Sequence, residues 1–177
     1  MTRSDIPIDG PIQLRRHEIE PPGEGEIVEL AEDLVWYRFR MPFRLNHINL
    51  FALETKDGWI LIDAGINNLD TKSQWDCILP KLWARHPVVG ILITHHHGDH
   101  IGFAGQLAKS TNAPILIRQI EHDIAVSALA MSDDDYGDMI ATAYLNYGLP
   151  EDVITRNIEV GNYFQKLVGP LPEMQII

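Results

Sequence analysis

Residues 91–105, ILITHHHGDHIGFAG, constrain the fold more than any other stretch of this 177-residue chain. The leading apolar and β-branched run is too short for a helix and reads as a buried strand. It opens directly into His95, His96 and His97, and then, past Gly98, into Asp99 and His100. On extended backbone, alternation sends His95 and His97 to one side and His96 to the other. Gly98 permits a sharp change of direction, so Asp99 and His100 fall at the mouth of the following helix and can turn back toward the pair. Neutral imidazoles and one carboxylate suit zinc, manganese or iron. The plain alternative is a histidine-rich surface turn that takes metal only opportunistically. The strand before and the helix after favour a built site over that alternative.

The rest of the chain is organised around this segment. Residues 1–25 mix proline, glycine and charge without periodicity and read as an extended arm. EIVEL and LVWYRFR read as short strands, and INLFALE and GWILIDAG as a hairpin around TKDG. Trp75, Ile78, Leu79, Leu82 and Trp83 recur at helical spacing between Thr71 and Arg85, with Pro80 counting against an unbroken helix. VVGILIT is then a strand, GDHIGFAGQLAKST one helix, APILIR a strand and QIEHDIAVSALAM a helix. This alternation predicts an α/β layered fold over residues 26–130. Residues 131–177 read as a helical hairpin broken at YGLP, an insertion or lid, and then a Pro-rich turn and the start of another strand.

Composition narrows the function. Fourteen basic against twenty-five acidic residues give a formal charge of -11, which repels a phosphate backbone and argues against nucleic acid as a partner. The lone cysteine, Cys77, excludes an internal disulfide and a Cys-rich zinc cluster, and is expected to be a buried thiol. No stretch approaches the length of a membrane span or a signal-peptide core, so the expected location is cytoplasmic, with no membrane partner.

THHHGDHIG resembles the metal-binding signature of the metallo-β-lactamase superfamily, and LIDAG, ending a strand upstream, resembles that family's first motif. The resemblance runs from about Glu26 to the end of QIEHDIAVSALA. It implies an αββα sandwich of two similar halves, with one metal held by His95 and His97 and a second by Asp99 and His100. It also implies that the second half supplies a histidine from a Gly-His-x-x-Gly-His type segment, a bridging aspartate and a last histidine. None of these is found in this sequence, so the expectation is the first half of such a sandwich with the helical hairpin appended. Half a sandwich would leave an apolar sheet face uncovered and favour a homo-oligomer.

The function this resemblance implies is hydrolysis of an ester, thioester, lactone or lactam, a small-molecule substrate, by a metal-bound hydroxide. Two zinc ions are expected, with iron or manganese as alternatives, and Asp99 would also orient the attacking hydroxide. A one-iron oxygenase of the same fold and an inactive half-domain with a partial metal site are the competing readings. Asp63 of LIDAG is assigned to hold the metal loop from behind, and Thr94 to support it. His96 is expected to pack or cap; His17, His47, His86 and His122 read as structural or surface residues. SDDDYGD does not match a calcium loop and reads as a helix N-cap. Tyr136, Tyr144, Tyr147 and Phe164 are divided evenly between core and substrate lid. The glycines of HGDHIGFAG lie inside the following helix, which rules out a dinucleotide fingerprint.

Overall fold

The computed structural model describes residues 19–177; the arm proposed for residues 1–25 lies mostly, and His17 wholly, outside them. Among the described residues, seven strands form one sheet in sequence order: β1 (Val28–Ala31), β2 (Leu34–Arg40), β3 (His47–Thr55), β4 (Gly58–Ile62), β5 (Val88–Ile93), β6 (Ile115–Ile117) and β7 (Gln175–Ile176). The first four make an antiparallel meander, and β4 to β7 run parallel. Parallel neighbours need crossovers. These are α1 (Leu69–Trp83) between β4 and β5, α2 (Gly98–Ile101) with α3 (Ala104–Thr111) between β5 and β6, and α4 (Gln119–Ala130) leaving β6. Before β7 come α5 (Asp133–Asn146), α6 (Glu151–Ile158) and α7 (Tyr163–Leu167).

Alternation along the strands decides which face is covered. Val35, Tyr37 and Phe39 of β2, Leu50 and Ala52 of β3, and Ile91 and Ile93 of β5 are buried, and pack with Trp75, Ile78 and Leu82 of α1 and Leu107 of α3. Tyr37, Phe39 and Trp75 meet ring to ring at 5.0–5.6 Å, and the Trp75 indole donates to Ala64 O at 2.8 Å. The opposite face carries Trp36, Phe51, Ile60, Ile62 and Leu92, all only half-buried. No helix of the described residues is long and apolar enough to cross a membrane.

Three expectations from the sequence need correction. Pro80 does not interrupt α1: it sits in the last turn, where both it and Asp76, whose carbonyl it leaves without an amide partner, are exposed to water. Cys77 is exposed, not buried, because it falls on the outer face of the same helix. The helix expected over residues 98–111 is broken at Gly102 and Phe103. The Phe103 N–H donates to Gly65 O at 2.8 Å, and Gly102 O accepts from Gly169 N–H at 2.9 Å, so tertiary hydrogen bonds claim the backbone there. Gly102 is obligatory at this crossing, since a Cβ would collide with the carbonyls of Gly98, Gly65 and Leu167.

Candidate metal centre

The centre is assembled where parallel strands end. β4 runs out at Asp63, β5 at Thr94, and β6 leads into α4, so the loops after all three lie on one rim of the sheet. Asp63 has φ 63°, a left-handed conformation that Asp tolerates better than most residues, and its N–H donates to Leu92 O of the neighbouring strand at 2.8 Å. That turn aims its carboxylate, in a residue only 5% exposed, at the base of the histidine loop.

The hydrogen bonds of Asp63 fix how the histidines present their nitrogens. Its Oδ1 accepts the Thr94 N–H at 2.8 Å, and its Oδ2 lies 2.8 Å from both Thr94 Oγ1 and His100 Nδ1. An ionised carboxylate only accepts, so the Thr94 hydroxyl and His100 Nδ1–H are both donors to it. Thr94 Oγ1 has then spent its proton, and His95 Nδ1, 3.0 Å away, must donate to it. In the neutral rings the lone pairs of His95 and His100 therefore sit on Nε2, facing away from the support.

His95, His97 and His100 lie together, whereas the separation of His96 expected from alternation is only partial, since its ring is 4.9 Å from that of His97. His95 lies 3.9 Å from His100 and 4.6 Å from His97, centroid to centroid, while its separation from His96 is 6.4 Å. Asp99 Oδ2 is 3.5 Å from His100 Nε2. Burial, then the neighbouring His100 and His97 rings, hold His95 below the ordinary imidazole value, which favours the neutral form a metal needs. Burial also disfavours charge on His100, but the hydrogen bond and charge of Asp63, with Asp99, outweigh it and raise its pKa.

In donor chemistry the cluster fits a divalent transition metal: imidazole nitrogens and a carboxylate, with the rings held from behind by Asp63 and Thr94. Among the described residues, no three His, Cys, Asp or Glu side chains close on a common point. The candidate donors His95, His97, Asp99 and His100 all come from one loop and the helix turn after it.

His96 stands apart from His95 but beside His97, and is held by Glu121 of α4, whose Oε2 lies 2.6 Å from His96 Nδ1 and 2.9 Å from its backbone N. Sequence reasoning passed over Glu121. The available signal was topological: an acidic residue in the first turn of the helix after the strand adjoining β5 lands beside the histidine loop. His47 opens β3 and bonds Asn46, His86 pairs with Glu54, and half-buried His122 pairs with Asp123, so the bonding partners of these three are not members of the cluster. Ser132 caps α5 by accepting the Asp135 N–H, with Asp133, Asp134 and Asp135 in its first turn. Of the aromatic residues, Phe164 is buried, Tyr147 is exposed and Tyr136 lines a cavity beside the histidine loop.

The family model described as the metallo-beta-lactamase superfamily matches residues 44–166. That match takes in well over half of the residues, and the chain belongs to this superfamily. It is similar, 33% identical over 87 residues, to the hydroxyacylglutathione hydrolase of Shewanella halifaxensis, covering 48% of this chain and 31% of that protein. A beta-lactamase domain protein from Burkholderia ambifaria superposes with a TM-score of 0.74 at 25% identity, over 90% of this chain and 46% of that one. A metallo-beta-lactamase family protein from Thermus thermophilus shares the fold, with a TM-score of 0.62 at 19% identity over 84% and 47% of the two chains. The chain thus spans about half the length of these solved relatives and less of the Shewanella protein. Its sheet and helical cover match the metallo-β-lactamase fold over that half.

Proposed function

We propose that this chain carries the metal-ligand loop of a hydrolase that cleaves an ester, thioester, lactone or lactam of a small molecule with water as the nucleophile. The observation that supports this most is the hydrogen-bond chain from Asp63 through Thr94 to His95, and from Asp63 to His100, which directs both Nε2 lone pairs away from the support. His95 and His97 would hold one ion, zinc by preference, and Asp99 with His100 a second. A divalent ion supplies Lewis acidity and lowers the pKa of a water molecule to about 7.

The chain's own residues have separate tasks. Asp63 fixes the orientation of His100 and, through Thr94, of His95, so that neither ring must reorganise as charge develops. Asp99, half-buried at the start of α2, accepts a hydrogen bond from the attacking water and directs its lone pair toward the carbonyl. The likeness to a protein named hydroxyacylglutathione hydrolase supports acyl-group hydrolysis as the reaction class.

The test is zinc-dependent hydrolysis of a phenyl ester, a thioester and a lactone by the protein carrying this chain, set against a His95→Ala, His97→Ala double variant. Turnover that requires both zinc and the two histidines supports the reading. Turnover that survives chelation, or that the double variant retains, overturns it.

A further inference from the structure

A cavity of about 700 Å³ lies against the histidine loop, with His97 and Asp99 at one end and α4, α5 and α7 as its walls. Ile120 and Ile124 of α4, Met131, Met139 of α5, and Phe164 and Leu167 of α7 are among its lining residues, and the lining is mainly apolar. The volume suits a drug-sized ligand. Among the described residues no lysine or arginine lines it; apart from the histidine loop, its ionisable groups are Asp123, Tyr136 and Tyr163. Burial raises both tyrosine pKa values, which keeps the phenols neutral. Away from the histidine loop an anionic group would meet apolar walls and the Asp123 carboxylate, whose partner is His122, with no lysine or arginine to receive it, at the cost of its hydration.

The walls are built, not incidental. Asn162, fully buried before α7, donates from Nδ2 to Ala128 O and Met131 O at 2.8 and 3.1 Å, and its Oδ1 accepts the Gln165 N–H at 3.2 Å. Its backbone N–H reaches Asp133 Oδ1 at 2.6 Å, so one residue ties the end of α4, the start of α5 and α7 together. Gly98 lets α7 press on the histidine loop, because a Cβ there would meet Leu167 at 2.7 Å. The apolar walls are thereby set in a fixed relation to the reactive end.

We infer that the cavity receives the acyl part of the substrate, and that this acyl group is a neutral, apolar chain rather than one carrying a carboxylate. The inference rests on the hydrolase reading for the word acyl, but the binding preference stands apart from it. A flexible chain suits walls of Met, Ile and Leu that repack at little cost. The ester or amide carbonyl at its head would lie beside His97 and Asp99, and the tail would run toward Met131 and Met139.

Calorimetric titration of the 177-residue chain in EDTA, which removes any metal contribution, tests the preference with octanamide and with suberic acid monoamide. The two probes share a head group and chain length and differ in a carboxylate at the far end. Octanamide should bind at least about tenfold more tightly. Ile124→Asp and Ser127→Phe, the latter filling the cavity from an exposed position on α4, should each cost octanamide about tenfold or more, while His86→Ala, whose ring pairs with Glu54 outside the cavity, keeps it. Circular dichroism of each variant separates loss of binding from loss of fold. Equal binding of the two probes, no octanamide binding, or affinity unchanged in both folded wall variants overturns the inference. A protein that binds octanamide with this pattern yet hydrolyses nothing sinks the hydrolase reading and leaves the cavity's preference standing.

Discussion

One oxygen of Glu121 meets His96 twice: Oε2 lies 2.6 Å from its ring Nδ1 and 2.9 Å from its backbone N. A single carboxylate oxygen therefore fixes both the rotation of the ring and the path of the chain between His95 and His97. Because His95 and His97 flank His96 in one short loop, the pin on His96 is a pin on the candidate ligands.

Removing that pin should loosen the loop. Glu121→Ala is expected to speed hydrogen exchange at the His96 amide and to weaken zinc binding by about tenfold, the usual scale for a group that orients a ligand from behind. Exchange at an unaltered rate would sever the link between α4 and the loop.

The same contact carries a pH dependence of known sign. The His96 ring hydrogen bond, and after it the backbone one, hold Glu121 below the ordinary glutamate value against a small effect of burial. A depressed folded pKa means the tether is fully present above the unfolded value and is lost as pH falls through the folded one. The part of the His96 amide shift that depends on Glu121, read as the difference from Glu121→Gln, should thus persist down through the ordinary glutamate range and fall away only below it. Glu121→Gln should abolish that acid-side transition, and a transition unchanged in the variant would assign it to another group.

Asp63 is buried with three donors converging on it. Asp63→Ala leaves the Thr94 N–H, the Thr94 hydroxyl and His100 Nδ1–H without their acceptor, and should cost about 1–3 kcal/mol in urea unfolding. Asp63→Asn, which has only one acceptor oxygen, should keep more of the stability but lose about tenfold in zinc affinity. Equal zinc affinity in all three proteins would show that the ring orientation has another source.

Equilibrium dialysis should find zinc on the chain and lose it with His97→Ala, but not with His86→Ala, whose ring pairs with Glu54 away from the cluster. Because donors reach the site from one loop only, affinity should fall below that of a closed four-ligand site. Retention by His97→Ala would place the metal elsewhere.

Gly102→Ala puts a methyl group among three carbonyls that have no room to retreat. The expected loss is about 3 kcal/mol or more, read from the urea midpoint, with Ser110→Ala on the exposed end of α3 as a neutral control. A stable Gly102→Ala chain would mean that the strand-end loops can separate without cost.

The order of strands and helices was legible because each announces itself locally: VVGILIT as an apolar run, Trp75 to Leu82 as a helical stripe, TKDG as a turn. What local pattern could not reveal was any decision taken by contacts between distant segments. The break between α2 and α3 follows from Gly65 and Gly169, far away in sequence, capturing the backbone at Phe103 and Gly102. Glu121 stayed hidden for the same reason, since its role depends on β6 lying beside β5. The clustering of His95, His97 and His100 followed from alternation and a glycine, whereas the cavity arises only once α4, α5 and α7 are stapled by Asn162.

The parallel run from β4 to β7 also separates the molecule into two rims with different tolerances. The histidine loop and the cavity occupy the rim where these strands end. At the other lies the exposed turn of Lys56 and Asp57, six β5 residues away, or about 20 Å. A cysteine or a coupling handle placed at Lys56 would anchor the protein to a chip or bead with its cavity turned to the liquid. The polarity of four strands thus fixes which end of the protein is convenient to hold.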